Sequence, residues 1–236
     1  ISTTGALRVV VVGDTKQLGP VVKCRRALAM GMGISLLSRI QDGPVPSVFL
    51  NVQFRMHPSI AEFPNSQFYE GKLQNGAATA QRLRTDVHFP WPNAQRPIFF
   101  WHTKPDGGEA KGGSEGHSAF NDSEAQAVAS CVLRLITEGA QPHEIGVISM
   151  YEAQRIAIRR RLRDAGVTDL DLSVNNVDSF QGQERVFIVL SLTRSNPGGI
   201  LGNVGNPERI NVALTRAQCG LIVIGDAETV SKGSAV

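Results

Sequence analysis

Residues 177–192 read VDSFQGQERVFIVLSL, and this stretch decides the fold. The apolar run after Arg185 has almost no polar alternation, which is typical of a strand covered on both faces in a parallel sheet. The polar residues 181–185 lead directly into this strand. Their composition suits a plain solvated turn around Gly182. Because ligand sites of open α/β sheets gather on loops at strand ends, the alternative is that the turn belongs to a binding site.

Five other short apolar runs are separated by segments of helical spacing. Runs of this length predict strands, and helices between them predict parallel connections. The fold class is therefore predicted to be α/β, with a mostly parallel sheet flanked by helices. The five runs are RVVVV at 8–12, SVFL at 47–50, PIFFW at 97–101, IGVI at 145–148 and GLIVIG at 220–225.

The clearest predicted helix covers residues 121–138. Asn121 can cap its first turn, Glu124 can complete a capping box, and Gly139 can end it. A stripe of apolar residues at helical spacing is expected to face the core. The stripe consists of Ala125, Val128, Ala129, Val132, Leu133 and Ile136.

A second helix is predicted for residues 151–165, ended by Gly166. Residues 104–118 are rich in glycine and charge and contain little to bury. That composition predicts a mobile surface loop between the strand at 97–101 and the first helix.

The composition is that of a globular protein, with 42% of the 236 residues hydrophobic and 19% charged. A net charge of +3 permits a polyanionic partner without requiring one. Cys24, Cys131 and Cys219 are far apart and lack C-x-x-C spacing, which argues against a disulfide framework or a zinc site. No apolar stretch approaches ~20 residues and no signal sequence is evident, so we expect a soluble intracellular protein with no membrane partner.

The start of the sequence contains a strand with few neighbours. The valine run at 9–12 leads into GDTKQLGP, and little sequence precedes it. One placement is an edge strand of the downstream sheet. The other, which we favour, is the last strand of a preceding domain, because a strand needs partners for its backbone groups.

Five segments occur in the order and spacing of a known motif set. They are GDTKQLGPVV (13–22), LNVQFRMHPSIAEFPNSQFYEGKLQNG (50–76), IGVISMYEAQ (145–154), VDSFQGQE (177–184) and ERINVALTRAQCGLIVIGD (208–226). Together they resemble motifs III to VI of superfamily 1 helicases, most closely those of the regulator of nonsense transcripts type in nonsense-mediated mRNA decay. Five motifs in order are far more specific than any one of them.

The resemblance implies a RecA-like fold, in which two such domains clamp ATP and move along single-stranded nucleic acid. Residues 41–236 would be the second RecA-like domain, and residues 1–40 the end of the first, with motif III and a linker. The phosphate loop G-x-x-x-x-G-K-[ST] and the acidic pair for Mg²⁺ do not occur in this sequence, and the family carries both on the first domain. We therefore expect a piece of a longer protein that hydrolyses little ATP by itself.

Two arginines of the last motif are candidates for contact with ATP. Arg209 and Arg216 are seven residues apart, close to two helical turns, so we expect both guanidinium groups on one side of a helix. By resemblance, Arg216 is the arginine finger and Arg55 its partner on the γ-phosphate, and both are catalytic candidates. Without the motif context, each would be interpreted as a surface arginine paired with a carboxylate. The buried face of the same helix is predicted to hold Ile210, Ala213, Leu214 and Ala217.

Three further ATP-site candidates come from other motifs. By resemblance, the ring of Phe54 stacks on the adenine where relatives commonly carry Tyr, and Glu184 accepts from the ribose hydroxyls. Gln17 would sense the γ-phosphate from the first-domain side, which makes it a third catalytic candidate. The plainer alternatives are core packing for Phe54 and a hydrogen bond within its own turn for Gln17.

Nucleic acid is expected to cross the top of the domain, at the loop after the strand at 145–148 and at the segment ahead of the turn at 181–184. The candidates for contact with the sugar-phosphate backbone are Ser149, Tyr151, Gln154, Asn176, Asp178 and Ser179. Relatives usually show Thr-Pro where this chain has Ser149-Met150, so the hydroxyl is kept while the stiff proline is absent. Asp178 cannot attract a phosphate, and we expect it to orient neighbouring hydroxyls or brace the loop.

Other polar and aromatic groups are given structural interpretations. His57 has no further His, Cys or acidic residues at ligand spacing, so we interpret it as shaping the turn after Arg55 and predict no metal site. Phe63, Phe68 and Tyr69 favour packing over base stacking. The arginines of the 151–165 helix favour a solvated face over phosphate binding. They are Arg155, Arg159, Arg160, Arg161 and Arg163.

The function implied by the resemblance is the C-terminal motor domain of an ATP-dependent helicase, acting on RNA or on DNA. Such a domain would use ATP and Mg²⁺. Its partners would be single-stranded nucleic acid, the first RecA-like domain and mRNA decay factors, in the cytoplasm or also in the nucleus. The competing hypothesis is a non-catalytic remnant that holds nucleic acid or a protein partner. A helicase-nuclease is a weaker option because nuclease carboxylate clusters are missing.

Overall fold

The computed structural model describes residue 5 and residues 7–103, 108–112, 118–168 and 171–233. The chain divides into two compact units, Ile1–Leu50 and Asn51–Val236. The first unit contains two short helices, α1 (Arg25–Ala29) and α2 (Leu36–Gln41). The domain boundary predicted after residue 40 falls inside α2, and the compact units separate after Leu50 instead.

The two strands predicted for the first unit are not found in its described residues. Residues 8–12 and 47–50 have no strand assignment, and Val10 and Val12 are 86% and 78% exposed. A strand needs a neighbour to take up its N–H and C=O groups, and the described part of this unit offers none. The alternative of an edge strand in the downstream sheet is wrong, since the described strands of that sheet begin at Ile98. The placement in a preceding domain stays a prediction.

The second unit is built on a five-stranded sheet in which every pair of neighbouring strands is parallel. Its strands are β3 (Ile98–His102), β6 (Ile145–Ser149), β7 (Ser173–Asn176), β8 (Arg185–Ser191) and β9 (Ala217–Gly225). Their order is β3-β9-β8-β6-β7. Two small sheets pair β1 (Val52–Gln53) with β2 (Gln74–Asn75), and β4 (Ala110–Gly112) with β5 (Ser118–Phe120). The strands predicted at 97–101, 145–148, 185–192 and 220–225 are confirmed.

Helices cover both faces of this sheet. They are α3 (Pro58–Phe68), α4 (Asp122–Thr137), α5 (Glu152–Asp164), α6 (Val177–Phe180), α7 (Pro207–Leu214) and α8 (Ala227–Lys232). Phe187 and Val189 of β8 join the core formed with α4 and α5. Ile188 and Leu190 point to the opposite face, because side chains alternate along a strand, and they are equally buried. The two-sided burial confirms the α/β class.

Helix α4 begins as predicted, but its first turn differs in one respect. Asn121 caps it by accepting from the Glu124 N–H at 3.1 Å, and Gly139 follows its end at φ +112°. The Glu124 side chain turns into the core instead of closing a capping box. Leu133, predicted for the buried stripe, is 43% exposed, while Leu135 is fully buried.

The segment 104–118 was predicted to be a mobile loop. Residues 104–107 and 113–117 lie outside the described residues. In the described part, β4 pairs antiparallel with β5, so a short hairpin replaces part of the predicted loop. Helix α5 ends at Asp164, close to the predicted end, with Gly166 at φ +80°.

Among the helices of the described residues, none combines the length and the apolar character that crossing a membrane requires.

Candidate functional site

The turn after β1 is held closed by the side chain of Gln53. Its Oε1 accepts from the backbone N–H groups of Arg55 at 3.0 Å and Met56 at 2.8 Å. Its Nε2 donates to the Met56 carbonyl at 2.8 Å and to Asn75 Oδ1 at 2.7 Å. The turn is thus tied to β2, and its backbone groups are satisfied without a long-range strand. Arg55 therefore leaves this turn in a fixed direction.

His57 fastens the same turn to the main sheet. Its Nδ1 accepts from the Ser59 N–H at 3.2 Å as the N-cap of α3, and its own N–H donates to the Gln218 carbonyl at 2.8 Å. The residue is buried, and this burial lowers its pKa, so the imidazole is neutral near pH 7. The structural interpretation of His57 is confirmed.

Arg55 and Glu184 form an ion pair between two distant motifs. Nη1 of Arg55 also donates to the Thr215 carbonyl at 3.1 Å, and Glu184 Oε1 accepts from Gln218 Nε2 at 2.7 Å. The hydrogen bond from Arg55 is the largest cause of the lowered pKa of Glu184, and the nearby charge of Arg82 adds to it. The Glu184 carboxylate therefore stays ionised at neutral pH. Arg55 and Glu184, both predicted to contact ATP, are therefore in direct contact with each other.

The predicted placement of Arg209 and Arg216 on one helix is wrong. Helix α7 ends at Leu214, and Arg216 lies beyond it, just before β9. The Arg216 side chain folds back along the helix end, where Nε donates to the Val212 carbonyl at 2.8 Å. Carbonyls in the last helical turn lack partners within the helix, and this bond satisfies one of them. Arg216 is only 1% exposed, so it does not protrude into solvent.

Arg55 and Arg216 nevertheless meet at Thr215. Arg55 binds the Thr215 carbonyl, and Nη2 of Arg216 donates to the Thr215 hydroxyl at 2.7 Å. Nη1 of Arg216 also lies 3.4 Å from the carbonyl of Gln183, in the turn that carries Glu184. The two catalytic candidates are therefore neighbours. Arg55 is the accessible one, with 31% of its side chain exposed.

Arg209 contacts the other half of the candidate surface. Its guanidinium lies 3.4 Å from Asp178 and 3.4 Å from Asn203 Oδ1. This is the surface ion pair that the sequence left as the plainer alternative. The predicted buried face of α7 is also only partly correct: Ala213 is buried, Ala217 belongs to β9, and the helix buries Asn211 and Val212 instead of Ile210 and Leu214.

Phe54 is an exposed side chain, so the alternative of core packing is wrong. Its ring is 64% exposed, and one edge lies against Gly76. A β-carbon added at Gly76 would come within 2.4 Å of Phe54 Cδ1. The Phe54 carbonyl accepts from Arg82 Nη2 at 2.8 Å. An exposed aromatic ring beside an accessible arginine is a suitable place for a base to stack.

Two of the nucleic-acid candidates have no accessible side chain. Ser149 is fully buried, and its hydroxyl donates to the Tyr151 carbonyl at 3.0 Å. Gln154 is also fully buried, with Oε1 accepting from the Asn121 N–H at 2.7 Å and Nε2 donating to the Ser191 hydroxyl at 3.0 Å. Direct contact with nucleic acid is therefore wrong for both in this conformation. They hold the ends of β6 and β8 together instead.

A buried carboxyl group completes that network. Glu124 Oε2 accepts from the Ser191 hydroxyl at 2.8 Å and from the Thr193 N–H at 2.7 Å. Burial is the largest influence and raises the pKa of Glu124 to about 8. Thr193 has a left-handed backbone at φ +73°, and the carboxyl group binds this unusual turn directly. Sequence reasoning assigned Glu124 to a cap and missed this role.

The remaining nucleic-acid candidates lie closer to the surface. The Tyr151 hydroxyl accepts from the Asn203 N–H at 2.9 Å and from Arg194 Nη1 at 3.2 Å. Asn176 caps α6 by accepting from the Ser179 N–H at 2.9 Å. Asp178 and Ser179 are exposed on the first turn of that helix. The pairing of Asp178 with Arg209 agrees with the expectation that Asp178 braces the loop.

The arginines of α5 largely pair within the domain. Arg160 and Arg161 both form ion pairs with Asp122, and Arg155 pairs with Glu152. These carboxylates offset much of the positive charge, which supports the solvated-face interpretation.

The aromatic residues after His57 contact each other or α7, although Phe63 is 54% exposed, so the packing prediction is confirmed only in part. Phe63 and Phe68 form an edge-to-face pair with ring centres 6.4 Å apart, and the Tyr69 hydroxyl accepts from Asn211 Nδ2 at 2.8 Å.

Gln17 lies in the first unit. Its Nε2 donates to Asp14 Oδ2 at 2.8 Å, which is the bond within its own turn that the sequence left as an alternative. A role as γ-phosphate sensor stays a prediction. In the part of the chain that the structure describes, no group of three or more His, Cys, Asp or Glu residues is arranged to hold a metal ion.

Sequence reasoning missed the residues whose hydrogen bonds hold Phe54, Arg55 and Glu184 in place. They are Gln53, Arg82, Thr215 and Gln218. Gln53, Thr215 and Gln218 lie inside the quoted motif segments, within two residues of Arg55 or Arg216, and that proximity is the only signal the sequence offers for them. Arg82 carries no such signal, because its contact with Phe54 spans 28 residues.

Comparison with known proteins places the chain in a family. The model of a family described as "AAA domain" matches residues 32–228. The chain is 43% identical over 232 residues to the regulator of nonsense transcripts 1 homolog of Neurospora crassa, and 40% identical over the same length to that of Arabidopsis thaliana. It is 40% identical over 235 residues to the ATP-dependent helicase NAM7 of Saccharomyces cerevisiae.

These matches use nearly the whole chain, 97% to 98% of it, but only 18% to 24% of each relative. A solved structure of the C-terminal domain of a possible DNA helicase from a Lactobacillus aligns with 78% of this chain and 96% of its own, at 11% identity and a TM-score of 0.42. That likeness is too weak to support a conclusion. The chain belongs to the AAA domain family, as a superfamily 1 helicase domain of the regulator of nonsense transcripts type.

Proposed function

We propose that this chain is the C-terminal motor domain of an ATP-dependent helicase acting on single-stranded RNA, with single-stranded DNA as the other candidate substrate. The observation that carries the proposal is the meeting of Arg55, Glu184 and Arg216 around Thr215. Arginine suits phosphate oxygens because its planar fork donates two parallel hydrogen bonds. With the exposed ring of Phe54 beside them, these groups match the phosphates, ribose and base of one nucleotide.

In this proposal the Arg55–Glu184 ion pair is the arrangement before ATP binds. The anionic phosphates would replace the carboxylate as the partner of Arg55, and the ribose hydroxyls would donate to the released Glu184. Arg55 would then stabilise negative charge on the transferring phosphoryl group. Arg216 can join it only by leaving the carbonyl of Val212, so its contribution requires a rearrangement of the segment around Thr215.

The other wall of the nucleotide site is expected on the first RecA-like domain. Mg²⁺ neutralises charge between the phosphates in such enzymes. Among the described residues, no group of three or more His, Cys, Asp or Glu side chains is arranged to hold a metal ion. We therefore assign no Mg²⁺ ligand to this domain.

Contact with the nucleic-acid backbone is proposed for Tyr151, Asn176 and Ser179, with Asp178 bracing the loop. Tyr151 follows β6, Asn176 is the last residue of β7, and Asp178 and Ser179 follow it. The carboxyl ends of the two strands are adjacent because the strands pair in parallel. We propose mRNA decay factors as protein partners, and the cytoplasm and nucleus as locations, from the names of the relatives. A non-catalytic binding module is the second candidate, and the burial of Arg216 favours it.

The test measures ATP hydrolysis by the full-length protein with and without single-stranded RNA or DNA of the same sequence. We expect hydrolysis that nucleic acid stimulates, and a loss of about 100-fold or more in Arg55→Ala. The matched control Arg134→Ala removes a surface arginine of α4 and should hydrolyse ATP at the wild-type rate. Binding of nucleic acid without hydrolysis by the wild-type protein would support the binding module instead.

A further inference from the structure

The segment 76–82 contacts Phe54 at two points. Gly76 begins it and lies against the ring edge, and Arg82 ends it and binds the Phe54 carbonyl. The backbone N–H of Gly76 also donates to the Gln53 carbonyl at 2.9 Å, one residue before Phe54. A 3₁₀ helix, Ala77–Gln81, sets the distance between the two contacts. The segment is therefore fixed to the turn on both sides of Phe54.

The position of the Arg82 guanidinium leaves one of its donors without a hydrogen bond, which is unfavourable for stability. Its Nε is buried and has no hydrogen-bond partner among the described residues. An unmatched buried donor is destabilising, whereas the carbonyl of Phe54 is exposed enough for water to satisfy it. The bond to Phe54 is thus poorly explained by stability alone. Water can replace the hydrogen bond, but a mobile water cannot fix the orientation of the peptide.

We infer that Arg82 is a positioning residue for Phe54, and that Gly76 keeps clear the space in which the ring lies. This inference rests on the proposed function, in which the ring of Phe54 stacks on the base of ATP. Arg82 acts through the peptide that follows Phe54, and so sets where the ring stands relative to Arg55. Its charge also lowers the pKa of Glu184, which places Arg82 beside the proposed ribose contact.

Substitution of Arg82 should separate binding from turnover. In the full-length protein we expect Arg82→Met to raise KM for ATP about fivefold, the scale of one net hydrogen bond, with kcat within about twofold of wild type. Arg82→Lys keeps a donor and should recover part of the loss. In a Phe54→Ala background, Arg82→Met should leave KM unchanged, because the residue through which it acts is gone. An equal increase in both backgrounds would overturn the inference.

Gly76→Ala tests the same inference without removing a charge. Gly76 has φ −63° and ψ 148°, which alanine adopts freely, so the added methyl group acts mainly through its close contact with the ring, with a longer contact of 3.2 Å to the Gln53 carbonyl oxygen. We expect the fold to be kept and KM for ATP to rise as in Arg82→Met. Arg134→Met is the matched control and should match the wild type in KM, kcat and thermal midpoint. A wild-type KM in Gly76→Ala counts against the inference.

A readout independent of catalysis separates this inference from the proposed function. 4-Fluorophenylalanine placed at position 54 of the full-length protein reports the ring by ¹⁹F NMR. We expect one signal in the wild-type background and a shifted or broadened signal with Arg82→Met or Gly76→Ala. Identical spectra would overturn the positioning role even if ATP is hydrolysed. Absence of hydrolysis in the wild type would refute the proposed function, while the ¹⁹F signal would still decide the role of Arg82.

Discussion

Arg55 and Arg216 share Thr215: one guanidinium binds its carbonyl oxygen and the other its hydroxyl. The two arginines differ in accessibility, since Arg216 is buried and 31% of the Arg55 side chain is exposed. A buried arginine with several hydrogen bonds contributes to the fold, whereas a partly exposed one contributes little. Substitution of Arg216 should therefore lower the unfolding free energy much more than substitution of Arg55.

Arg216→Ala is expected to weaken the fold as well as the proposed activity. It removes a large buried side chain and leaves the Val212 carbonyl without that donor, so we expect a loss of about 3 kcal/mol in unfolding free energy. In the full-length protein, ATP turnover should fall by about 10³-fold. Urea unfolding and steady-state kinetics measure the two effects. Arg209→Ala, on the partly exposed face of α7, is the control for stability, and an equal loss in both variants would contradict this account.

Glu184→Gln is expected to change KM for ATP while leaving the unfolding free energy almost unchanged. Both members of its ion pair are partly exposed, so the unfolding free energy should change by less than about 1 kcal/mol. KM for ATP should rise a few-fold, because the amide is a weaker acceptor than a carboxylate for the proposed ribose hydroxyls. Glu152→Gln breaks a comparable exposed pair on α5 and should not change KM. A KM equal to that of the wild type would remove Glu184 from the nucleotide site.

Glu124 predicts a pH dependence of stability. The pKa of this buried carboxyl group is raised to about 8 from 4.5, so the folded protein binds a proton more readily than the unfolded chain does. Its contribution to stability is complete below the unfolded value and is lost as the pH rises through about 8. Glu124→Gln cannot ionise and should lack this decline.

The measurement for Glu124 is the thermal midpoint of the wild type and of Glu124→Gln at several pH values between about 6 and 9. The difference should shift in favour of the variant as the pH rises. Glu138→Gln, which alters the other end of α4, should follow the wild-type slope. Parallel curves for the wild type and Glu124→Gln would show that this carboxyl group does not titrate in that range.

His57 should stabilise the protein through its cap on α3. His57→Ala is expected to cost about 1 kcal/mol, and His57→Asn less, because asparagine also provides a capping oxygen. The lowered pKa of His57 means that the unfolded chain takes up its proton first, so stability is lost as the pH falls below about 6.5. Urea unfolding at pH 5 and pH 7.5 should show a smaller pH effect in His57→Asn. Equal pH effects would assign the dependence to other groups.

Much of the main sheet could be predicted from the sequence because its strands are buried on both faces. The runs ending in Ser149, Ser191 and Gly225 contain little but apolar residues, and such runs have few other uses. Strand β7 was missed because SVNN has the composition of a turn. The valines at 9–12 have the same local pattern as a true strand, but pairing depends on residues elsewhere, which the local pattern does not contain.

The motifs allowed some residues of the candidate site to be predicted from the sequence, but not their surroundings. The motifs identified Arg55 and Glu184, which the structure brings together. They misplaced Arg216, because α7 ends at Leu214 with neither glycine nor proline after it to mark the stop. Gln154 was misinterpreted for a related reason. A glutamine next to a surface turn is usually accessible, and its buried partner Asn121 lies 33 residues away.

Gln218 is the second residue of β9, and Thr215 lies two residues before that strand begins; β9 has a hydrogen-bonded neighbour on each side. A nucleotide that binds Arg55 would therefore contact a side chain that is held next to an interior strand of the sheet. Because a strand that is hydrogen-bonded on both sides is held more firmly than an edge strand, the contacts with Thr215 and Gln218 give Arg55 and Glu184 a rigid support.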